Sequence, residues 1–472
     1  MEKFRIKDRT LDGGQAVYTA KVKKITDKIA EDRGERPKYF SHTYGCQQNE
    51  NDTERMNGLL EEMGFEETKD KETADIILFN TCAVREHAEQ KILGNLGALV
   101  KNKRENPDLK IVLCGCMFQQ KHVVDKIKKY KHVDMIMGTH ALSRFPENIC
   151  KLFTGEKKVV DADDEDTLPL ENVPVKREDG LKAWVTVMSG CNNFCSYCVV
   201  PYVRGREHSR YPEDVIAEVK DLVSKGYKDI TLLGQNVNSY CKDLDIGYDF
   251  ADLLRDVNNI DGKFRIRFMT SHPKDATEKL FDTIAECDKV CKHIHLPFQS
   301  GSDRILSLMN RRYTAEKYLS LVEYAKKKIP DVSFTSDVIV GFPTETEEDF
   351  EETLGLIKQV GFSGLYTFLF SPRPNTPAAT MDGQIPQSVK SERFNRLLAL
   401  QNENSVKANE KYLGKTVEVL VEGYPDGDSE NMTGRTEDNT IVRFPAEDGI
   451  IGKFVSVKID KALNWAVFGR II

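Results

Sequence analysis

Three cysteines lie within eight residues of this chain, in the run Cys191-Asn-Asn-Phe-Cys195-Ser-Tyr-Cys198, directly after an apolar, strand-like stretch. Three thiolates at this spacing can bind three irons of one cuboidal iron–sulfur cluster, and no fourth cysteine follows in the loop. Clusters that only transfer electrons usually have four cysteine ligands. The missing ligand therefore indicates an iron that is open to a substrate, as in catalytic metal sites. The alternatives are a structural zinc or a chance grouping, but zinc sites usually combine two cysteine pairs.

The bulk composition favours a multidomain protein of a reducing compartment. The chain has 472 residues, enough for about three domains. Its 68 basic and 75 acidic residues give a net charge of −7, which favours solubility and does not by itself indicate nucleic-acid binding. The first seven residues lack the apolar stretch of a signal peptide, and no apolar run reaches membrane-spanning length. Eleven cysteines in such a chain predict metal binding or catalysis in the cytoplasm, before disulfides.

The first third of the chain has the pattern of an α/β domain. Residues 1–36 are charged and weakly periodic, and we expect a loosely ordered extension there. From residue 37 to about 158, short apolar runs alternate with amphipathic stretches, which predicts an open parallel sheet. The predicted strands are Lys38–His42, Ile76–Asn80 and Lys110–Cys114, and the predicted helices are Asp52–Met63 and Glu89–Arg104.

A second cysteine trio belongs to this domain. Cys46, Cys82 and Cys116 are 36 and then 34 residues apart, one strand-plus-helix repeat each time. Each follows the carboxyl end of a predicted strand, and in a parallel sheet those ends line one crevice. Their positions near helix starts favour thiolates. The pattern predicts a second iron–sulfur cluster with three protein ligands, and the alternative is three buried core cysteines. Cys114 could replace Cys116, but it lies on the strand and is predicted to be core.

An acidic linker and a second alternating series follow. Residues 159–180 are rich in aspartate and contain prolines, and solvation explains their charge most simply. Residues 181–407 predict six strand–helix units, hence a partial or complete TIM-like β/α barrel, whose chemistry lies after the carboxyl ends of the strands. The first cysteine triplet follows the first of these strands. The predicted strands are Ala183–Ser189, Asp229–Leu233, Arg265–Met269, His293–Leu296, Ser333–Val340 and Gly364–Phe370.

Residues 408–472 have a different pattern. Short strand-like runs are separated by Gly, Pro, Asn and Asp clusters, which predicts a small all-β barrel. From residue 409 onward there are eight basic and eleven acidic residues, a net charge of −3, unlike the basic footprint expected of an RNA-binding domain. Any RNA binding would need a local face, with aromatic stacking.

With both cysteine trios and the β tail, the chain resembles the methylthiotransferases, a family of radical S-adenosylmethionine (SAM) enzymes, from Lys38 to Ile472. That family joins an N-terminal cluster domain, a radical SAM barrel and a C-terminal TRAM barrel. Five local sequences resemble its MiaB-type branch: Tyr44-Gly-Cys-Gln-Gln-Asn49, Gly190-Cys-Asn-Asn-Phe-Cys195, Gly205-Arg-Glu-His-Ser-Arg210, Gly234-Gln-Asn-Val-Asn-Ser-Tyr240 and Arg267-Phe-Met-Thr-Ser-His-Pro273.

The resemblance implies a reaction on tRNA. MiaB-type enzymes replace the hydrogen on carbon 2 of N6-isopentenyladenosine, at position 37 beside the anticodon, with a methylthio group. One SAM methylates a cluster-bound sulfur, and a second supplies the radical that activates the C–H bond. Branches acting on threonylcarbamoyl-adenosine tRNA or on a ribosomal protein are alternatives, although the motif after Leu233 differs from theirs. A non-catalytic iron–sulfur RNA-binding or sensor protein is a third hypothesis.

The resemblance also implies cofactors, site residues and partners. Two [4Fe-4S] clusters are expected, with SAM on the second; the implied ligands are Cys46, Cys82 and Cys116 for the first and Cys191, Cys195 and Cys198 for the second. SAM contacts are expected from Tyr197 (against the adenine), Gln235, Asn236, Ser271, Gln299 and Ser300. Arg204 is expected to hold the carboxylate of SAM or an RNA phosphate, with a structural salt bridge as the alternative. The implied partners of a monomer without membrane attachment are a tRNA anticodon stem-loop carrying isopentenyladenosine and an external electron donor such as flavodoxin or ferredoxin.

Overall fold

The computed structural model describes residues 13–84, 86–163, 171, 173–177 and 180–472. The chain forms two compact units. The first contains the residues up to 178 together with 188–192 and 199–210, and the second contains 179–187, 193–198 and 211–472. The predicted barrel domain 181–407 is therefore divided, because two short segments on either side of loop 193–198 belong to the N-terminal unit.

The first unit is built on a six-stranded parallel sheet with the strand order β2-β1-β3-β4-β5-β6. The open parallel sheet predicted from the sequence is confirmed. Its elements are α1 (Gly13–Arg33), β1 (Lys38–Tyr44), α2 (Gln47–Glu62), β2 (Glu66–Glu67), β3 (Ile76–Thr81), α3 (Glu86–Glu105), β4 (Lys110–Cys114), α4 (Lys121–Ile127), β5 (Met135–Met137), α5 (Phe145–Phe153) and β6 (Val159–Asp161).

The central strand β3 shows why this sequence forms a covered sheet. All six of its residues are buried, as expected for a parallel strand with helices on both faces. Ile76 and Leu78 belong to the apolar core on the α2 side, whereas Ile77 and Phe79 belong to the core on the α3 side. Alternate side chains of β3 thus pack into two different cores, and this packing fixes the position of the strand between them.

The prediction of a loosely ordered extension is wrong for residues 13–33, which form helix α1. This helix packs against α5, and the side chain of Val22 is fully buried. The hydroxyl of Thr26 donates a hydrogen bond to the carbonyl oxygen of Met63 at 2.7 Å. The buried stripe of α1 is narrow and partly made of threonine, so its hydrophobic periodicity is weak. Residues 1–12 lie outside the described residues.

The predicted linker also begins too early. Residues 159–161 form β6, which pairs with β5 in the sheet. Val159 is buried in the core of the first unit, whereas Val160 is exposed. Among the other residues of the predicted linker, 164–170, 172, 178 and 179 lie outside the described residues.

We predict that Val22→Asp destabilises the first unit by about 3 kcal/mol or more, because it places an unpaired carboxylate in the core. The matched control is Val17→Asp on the same helix, where the side chain is 50% exposed, and its effect should stay within about 0.5 kcal/mol. Native-state hydrogen exchange of the β3 amides measures both. Equal protection in the two variants would show that α1 does not stabilise the sheet.

The second unit contains a β/α barrel. Its parallel strands form two three-stranded sheets, β7-β10-β11 and β12-β13-β14, and a bridge between Ile266 and Val290 joins them. The prediction of a barrel from six strands is confirmed. The elements of this stretch, including α6, β8 and β9 of the first unit, are β7 (Lys182–Thr186), β8 (Met188–Ser189), α6 (Val200–Arg204), β9 (His208–Ser209), α7 (Pro212–Ser224), β10 (Asp229–Leu233), α8 (Phe250–Asn258), β11 (Arg265–Phe268), α9 (Glu278–Glu286), β12 (His293–His295), α10 (Asp303–Leu308), α11 (Ala315–Lys328), β13 (Ser333–Val340), α12 (Glu347–Val360), β14 (Gly364–Leu369) and α13 (Gln387–Glu410).

The C-terminal part of the second unit is a closed five-stranded barrel, as predicted, with the order β15-β16-β17-β19-β18. Closure leaves no free sheet edge. Its strands are β15 (Thr416–Gly423), β16 (Asn431–Arg435), β17 (Ile441–Pro445), β18 (Phe454–Ala462) and β19 (Val467–Ile471). Among the described residues, no helix combines the length and the apolarity needed to cross a bilayer.

Two arginines of β11 attach this small barrel to the amino end of the large one. Arg267 donates to the carbonyl oxygens of Thr436 and Glu437, each at 3.0 Å, and its Nε donates to Asp229 at 2.9 Å. Arg265, two residues earlier on the same face, donates to two further carbonyl oxygens of the small barrel. Both guanidinium groups are buried, and charge-assisted bonds of this kind are among the stronger ones in proteins. The small barrel is therefore attached at the end opposite to the carboxyl ends of the strands.

Candidate functional site

The structure brings the cysteines of the first unit together. Cys46, Cys82 and Cys116 follow β1, β3 and β4, which are neighbours in the sheet. Cys46 is the N-cap residue of α2, and Cys116 begins a short 3-10 helix. The thiol of Cys82 is hydrogen-bonded to Cys46, and Cys116 is close enough to interact electrostatically with both. Three loops from adjacent parallel strands thus converge at one edge of the sheet.

Two buried asparagines hold these loops in place. The Cys46 thiol donates to Oδ1 of Asn49 at 3.2 Å, and Nδ2 of Asn49 donates to Oδ1 of Asn80 at 2.8 Å. Nδ2 of Asn80 in turn donates to the carbonyl oxygen of Asn49 at 2.9 Å. A Cβ atom at Gly115, where φ is +104°, would lie 2.2 Å from Oδ1 of Asn80, so only glycine fits. The sequence reasoning missed Asn49 and Asn80, although each lies within three residues of a cysteine of the trio.

The electrostatics of the trio favour at least one thiolate. The hydrogen bond from Cys82 is the main reason that the pKa of the Cys46 thiol falls to about 5. The same hydrogen bond, with burial, raises the pKa of Cys82, and burial raises the pKa of Cys116. Thiolates are the form of cysteine that binds metals. One acidified thiol among two buried partners therefore fits a cluster-binding site.

The arrangement differs from that of a site for a single ion. Within the described residues, no group of three or more His, Cys, Asp or Glu side chains is arranged to share one metal ion. The three thiols nevertheless converge at one edge of the sheet, which fits a group that several cysteines hold together.

Arg204 lies at this trio. Its Nε donates to Sγ of Cys116 at 3.1 Å, and its Nη2 donates to Oδ2 of Asp52 at 2.8 Å. The structure thus shows the alternative named for Arg204, a buried salt bridge within the first unit. The reason is the packing of α6, whose Val203 joins Ala83 and Cys116 in one apolar cluster.

The guanidinium of Arg204 stays charged although its side chain is only 8% exposed. Burial lowers the pKa of Arg204, but the nearby Asp52 carboxylate and the thiols of Cys116 and Cys46 raise it by more. A permanent cation beside the thiols favours their ionised form. Arg210, at the end of the local motif that follows Arg204, forms a buried ion pair with Glu171 at 2.6 Å.

We predict that Arg204→Ala destabilises the first unit by about 3–5 kcal/mol, because it leaves Asp52 buried without its partner. The rate at which a thiol reagent labels the buried Cys150 reports the opening of this unit. The control is Lys101→Ala, which breaks an exposed ion pair with Glu105 and should cost less than about 1 kcal/mol. Labelling of Arg204→Ala at the control rate would contradict a stabilising role for the pair.

The second cysteine motif is divided between the two units, and Cys191 belongs to the first. Its N–H donates to the carbonyl oxygen of Gly205 at 3.1 Å. Gly190 has φ of +77°, and a Cβ atom there would lie 1.7 Å from the carbonyl oxygen of Arg206. The close approach of these two chain segments explains the glycine and fixes the start of the cysteine loop.

Cys195 and Cys198 belong to the second unit and form one turn, with the N–H of Cys198 donating to the carbonyl oxygen of Cys195 at 2.9 Å. The residues after α10 hold this turn. Nδ2 of Asn310 donates to the carbonyl oxygen of Phe194 at 2.9 Å, and Nη1 of Arg311 lies 3.6 Å from Sγ of Cys195. Sequence reasoning missed Asn310 and Arg311, because more than 100 residues separate them from the cysteines.

Three predicted SAM contacts carry unpaired buried atoms at the carboxyl ends of consecutive strands. Oε1 of Gln235 follows β10, Oγ of Ser271 follows β11 and Oε1 of Gln299 follows β12; none has a hydrogen-bond partner within the described part of the chain. Buried polar atoms are normally paired. Gln299 also has φ of +67°, in the left-handed region that non-glycine residues rarely adopt. These atoms fit a polar ligand such as SAM.

The other predicted SAM contacts are engaged within the protein. Nδ2 of Asn236 donates to Asp275 at 2.8 Å, and its Oδ1 accepts the N–H of His272 at 3.1 Å. The hydroxyl of Ser300 accepts the N–H of Ser302 at 3.3 Å. Asn236 and Ser300 therefore position the loops after their strands. The ring of Tyr197 packs against an apolar cluster of the barrel that includes Met309 and Ile339.

His272 is a further site residue that sequence reasoning did not single out, although it lies in the motif after the third barrel strand. Its Nδ1 accepts the N–H of Lys274 at 3.2 Å, so the ring proton lies on Nε2. Nε2 is buried and has no partner among the described residues. Burial, with the positive charge of Arg311, lowers the pKa of His272, which keeps the ring neutral. His272 thus offers one N–H donor beside Ser271.

Comparison with solved structures defines the class of protein. The chain resembles the radical SAM methyltransferase TsrM from Kitasatospora setae with cobalamin and a [4Fe-4S] cluster bound, with a TM-score of 0.52 and 16% identity over 72% of this chain and 77% of that one. The same enzyme with tryptophan and a SAM analogue bound also gives 0.52 and 16%, over 72% and 75% of the two chains. Residues 185–357 match the Radical SAM superfamily, residues 38–138 match "Uncharacterized protein family UPF0004" and residues 410–472 match the TRAM domain. The fold is that of the radical SAM enzymes.

Relatives over the whole chain narrow this class. The tRNA-2-methylthio-N(6)-dimethylallyladenosine synthase of Alkaliphilus oremlandii is 53% identical over 97% of this chain and 98% of its own. Proteins of the same name from Acetivibrio thermocellus and Clostridium beijerinckii are each 51% identical, over 97% and 95% of this chain and 96% and 99% of theirs. The chain belongs to the family of tRNA-2-methylthio-N(6)-dimethylallyladenosine synthases, which are radical SAM methylthiotransferases with [4Fe-4S] clusters and SAM as cofactors.

Proposed function

We propose that this protein converts N6-isopentenyladenosine at position 37 of tRNA to its 2-methylthio derivative. The observation that carries this function is identity above 50% over nearly the whole chain to synthases named for this reaction. The convergent thiols of the first unit support it, because they provide a set of cluster ligands in addition to the Cys191, Cys195 and Cys198 motif.

We assign three cysteines to each cluster. Cys46, Cys82 and Cys116 form the ligand set of the first unit, supported by their convergence and by the cationic Arg204 beside them. The remaining three ligands are Cys191, Cys195 and Cys198. The support for this second set is the turn that carries Cys195 and Cys198, anchored by residues after α10. The unpaired atoms of Gln235, Ser271 and Gln299 support SAM binding at the adjoining strand ends.

The residues of the chain have three tasks in this mechanism. When bound, the cofactors supply the sulfur, the methyl group and a carbon-centred radical. The hydrogen on a purine ring carbon is too weakly acidic for a side-chain base, so the chain has to hold SAM and the base in contact distance. Gln235, Ser271 and the neutral His272 bind polar atoms of SAM, and Arg204 places a permanent positive charge beside the thiols of Cys46 and Cys116. The apolar cluster under Tyr197 limits the access of water.

The C-terminal barrel has a local face suited to tRNA despite its net charge of −3. The rings of Trp465 and Phe468 meet edge to face at 5.5 Å, and Trp465 is 51% exposed. The guanidinium of Arg443 lies 5.4 Å from the centre of the Trp465 ring, and the amine of Lys461 lies 5.6 Å from that of Phe468. Aromatic planes flanked by cations are typical of surfaces that bind single-stranded RNA. We place contacts with the anticodon stem-loop here.

The remaining parts of the function concern partners and location. An external one-electron donor such as flavodoxin or ferredoxin is needed, because SAM cleavage consumes an electron. We propose a monomer, since one chain carries both cysteine sets, the barrel and the RNA-binding domain. A cytoplasmic location agrees with eleven free cysteines and with a tRNA substrate.

We predict that tRNA nucleosides from cells lacking this protein contain isopentenyladenosine but none of its 2-methylthio derivative, as measured by mass spectrometry. Expression of the wild-type chain should restore the derivative, and the Cys46→Ala, Cys82→Ala, Cys116→Ala triple variant should not. Unchanged methylthio-adenosine in the deletion strain would exclude the proposed reaction.

We also predict that the anaerobically reconstituted protein binds about eight irons, and that the same triple variant binds about four, as expected of two four-iron clusters. The matched control is Cys114→Ala, because the Cys114 thiol lies in the core and contacts the carbonyl oxygen of Phe79. This control should retain about eight irons. Retention of all the iron by the triple variant would disprove the assigned ligand set.

A further inference from the structure

One face of the sheet β12-β13-β14 carries polar and aromatic side chains. On β12 and β13, the rings of His293 and His295 share a hydrogen bond with the hydroxyl of Thr335, at 2.9 and 3.0 Å. The ring of His295 also meets that of Tyr366 on β14, with ring centres 5.5 Å apart. The same face continues towards the carboxyl ends, where Asp337 is in register with Tyr366, and Ile339 with Phe368.

This is the inner face of the barrel. The alternate residues of β13, which point the other way, are almost completely buried; they are Phe334, Ser336, Val338 and Val340. In β/α barrels the outward residues lie under the helices. Ile339 on the first face belongs to the same apolar cluster as Tyr197 of the cysteine loop. The face therefore extends from His293 up to the loop that carries Cys195 and Cys198.

The composition of this face is unusual for a barrel interior. The interior of a β/α barrel is normally filled by branched apolar residues in layers. Here Tyr366 is 52% exposed and Phe368 is 47% exposed, although both project from a barrel strand. The carboxylate of Asp337 is also accessible, at 28%, and lies 3.5 Å from Nε2 of His295. Two aromatic rings and a carboxylate of this face are therefore accessible to a ligand.

We propose that the inner face of β13 and β14, formed by Asp337, Ile339, Tyr366 and Phe368, binds the isopentenyl-bearing adenine base during the reaction. This inference rests on the proposed function and names the residues that recognise its substrate. Proteins bind unstacked RNA bases on aromatic rings, and the two exposed rings supply such planes. Phe368 and Ile339 offer an apolar surface to the five-carbon chain, and the Asp337 carboxylate can accept the hydrogen on N6.

The position of this face fits the chemistry. The N–H of Gln299, one of the residues with an unpaired buried atom, donates to the carbonyl oxygen of Asp337 at 2.9 Å. The base-binding face and the strand-end residues assigned to SAM are thus adjacent within one unit. Hydrogen transfer requires carbon 2 of the base to touch the reacting carbon of SAM. A base held further away on the protein surface could not react.

The test measures RNA binding without turnover. Two labelled anticodon stem-loops are compared by fluorescence anisotropy, one with isopentenyladenosine at the target position and one with an abasic nucleotide there. The cluster-loaded, full-length protein is used with SAM and without reductant. We expect Tyr366→Ala and Phe368→Ala each to weaken binding of the isopentenylated RNA about tenfold and to leave the abasic RNA unaffected. Unchanged affinity for the isopentenylated RNA, or equal losses for both RNAs, would overturn the proposal.

Matched variants separate this result from misfolding. Leu398→Ala removes a side chain of similar exposure, 42%, from α13 and should bind both RNAs as the wild type does. Iron content confirms that each variant is loaded. If an alanine variant loses iron, Phe368→Leu decides by the same criteria, because leucine keeps the apolar volume but has no ring. Binding is scored separately from methylthio formation by the wild type, so failure of the proposed function and failure of the base-binding face give different results.

Discussion

The whole site depends on one geometric constraint, which is that neighbouring parallel strands all end at the same edge of a sheet. In the first unit this constraint brings three cysteines together from loops more than 30 residues apart. In the second unit it places Gln235, Ser271 and Gln299 after three strands of the barrel. Each loop thus contributes one side chain, and side chains that are distant in sequence come together at one edge of a sheet.

The stretch from 188 to 210 links the two sites along the chain. Its residues 188–192 and 199–210, which include α6, belong to the first unit. Its residues 193–198, which include Cys195 and Cys198, belong to the second unit. Arg204 therefore follows Cys198 by only six residues, yet its guanidinium contacts Cys116 and Asp52. One short segment of chain thus contributes to both units.

The sequence predicted the sheet, the two barrels and the convergence of the first cysteine trio, because each leaves a periodic pattern along the chain. It did not predict α1, whose buried stripe is too narrow to give strong periodicity. Nor could it predict the partners of Arg204 or the role of Arg311, since long-range packing determines which side chain an arginine reaches. Asn49 and Asn80 could be predicted only in part. Their closeness to the cysteines is visible in the sequence, but the hydrogen bond between them depends on the register of β1 and β3.

The attachment of the small C-terminal barrel by Arg265 and Arg267 determines which end of the large barrel the small barrel covers. These arginines and the carbonyl oxygens they bind cover the amino end of the large barrel at β11. The unpaired atoms of Gln235, Ser271 and Gln299 lie at the opposite, carboxyl end of the strands. The small barrel is therefore attached without covering the strand ends that carry these atoms.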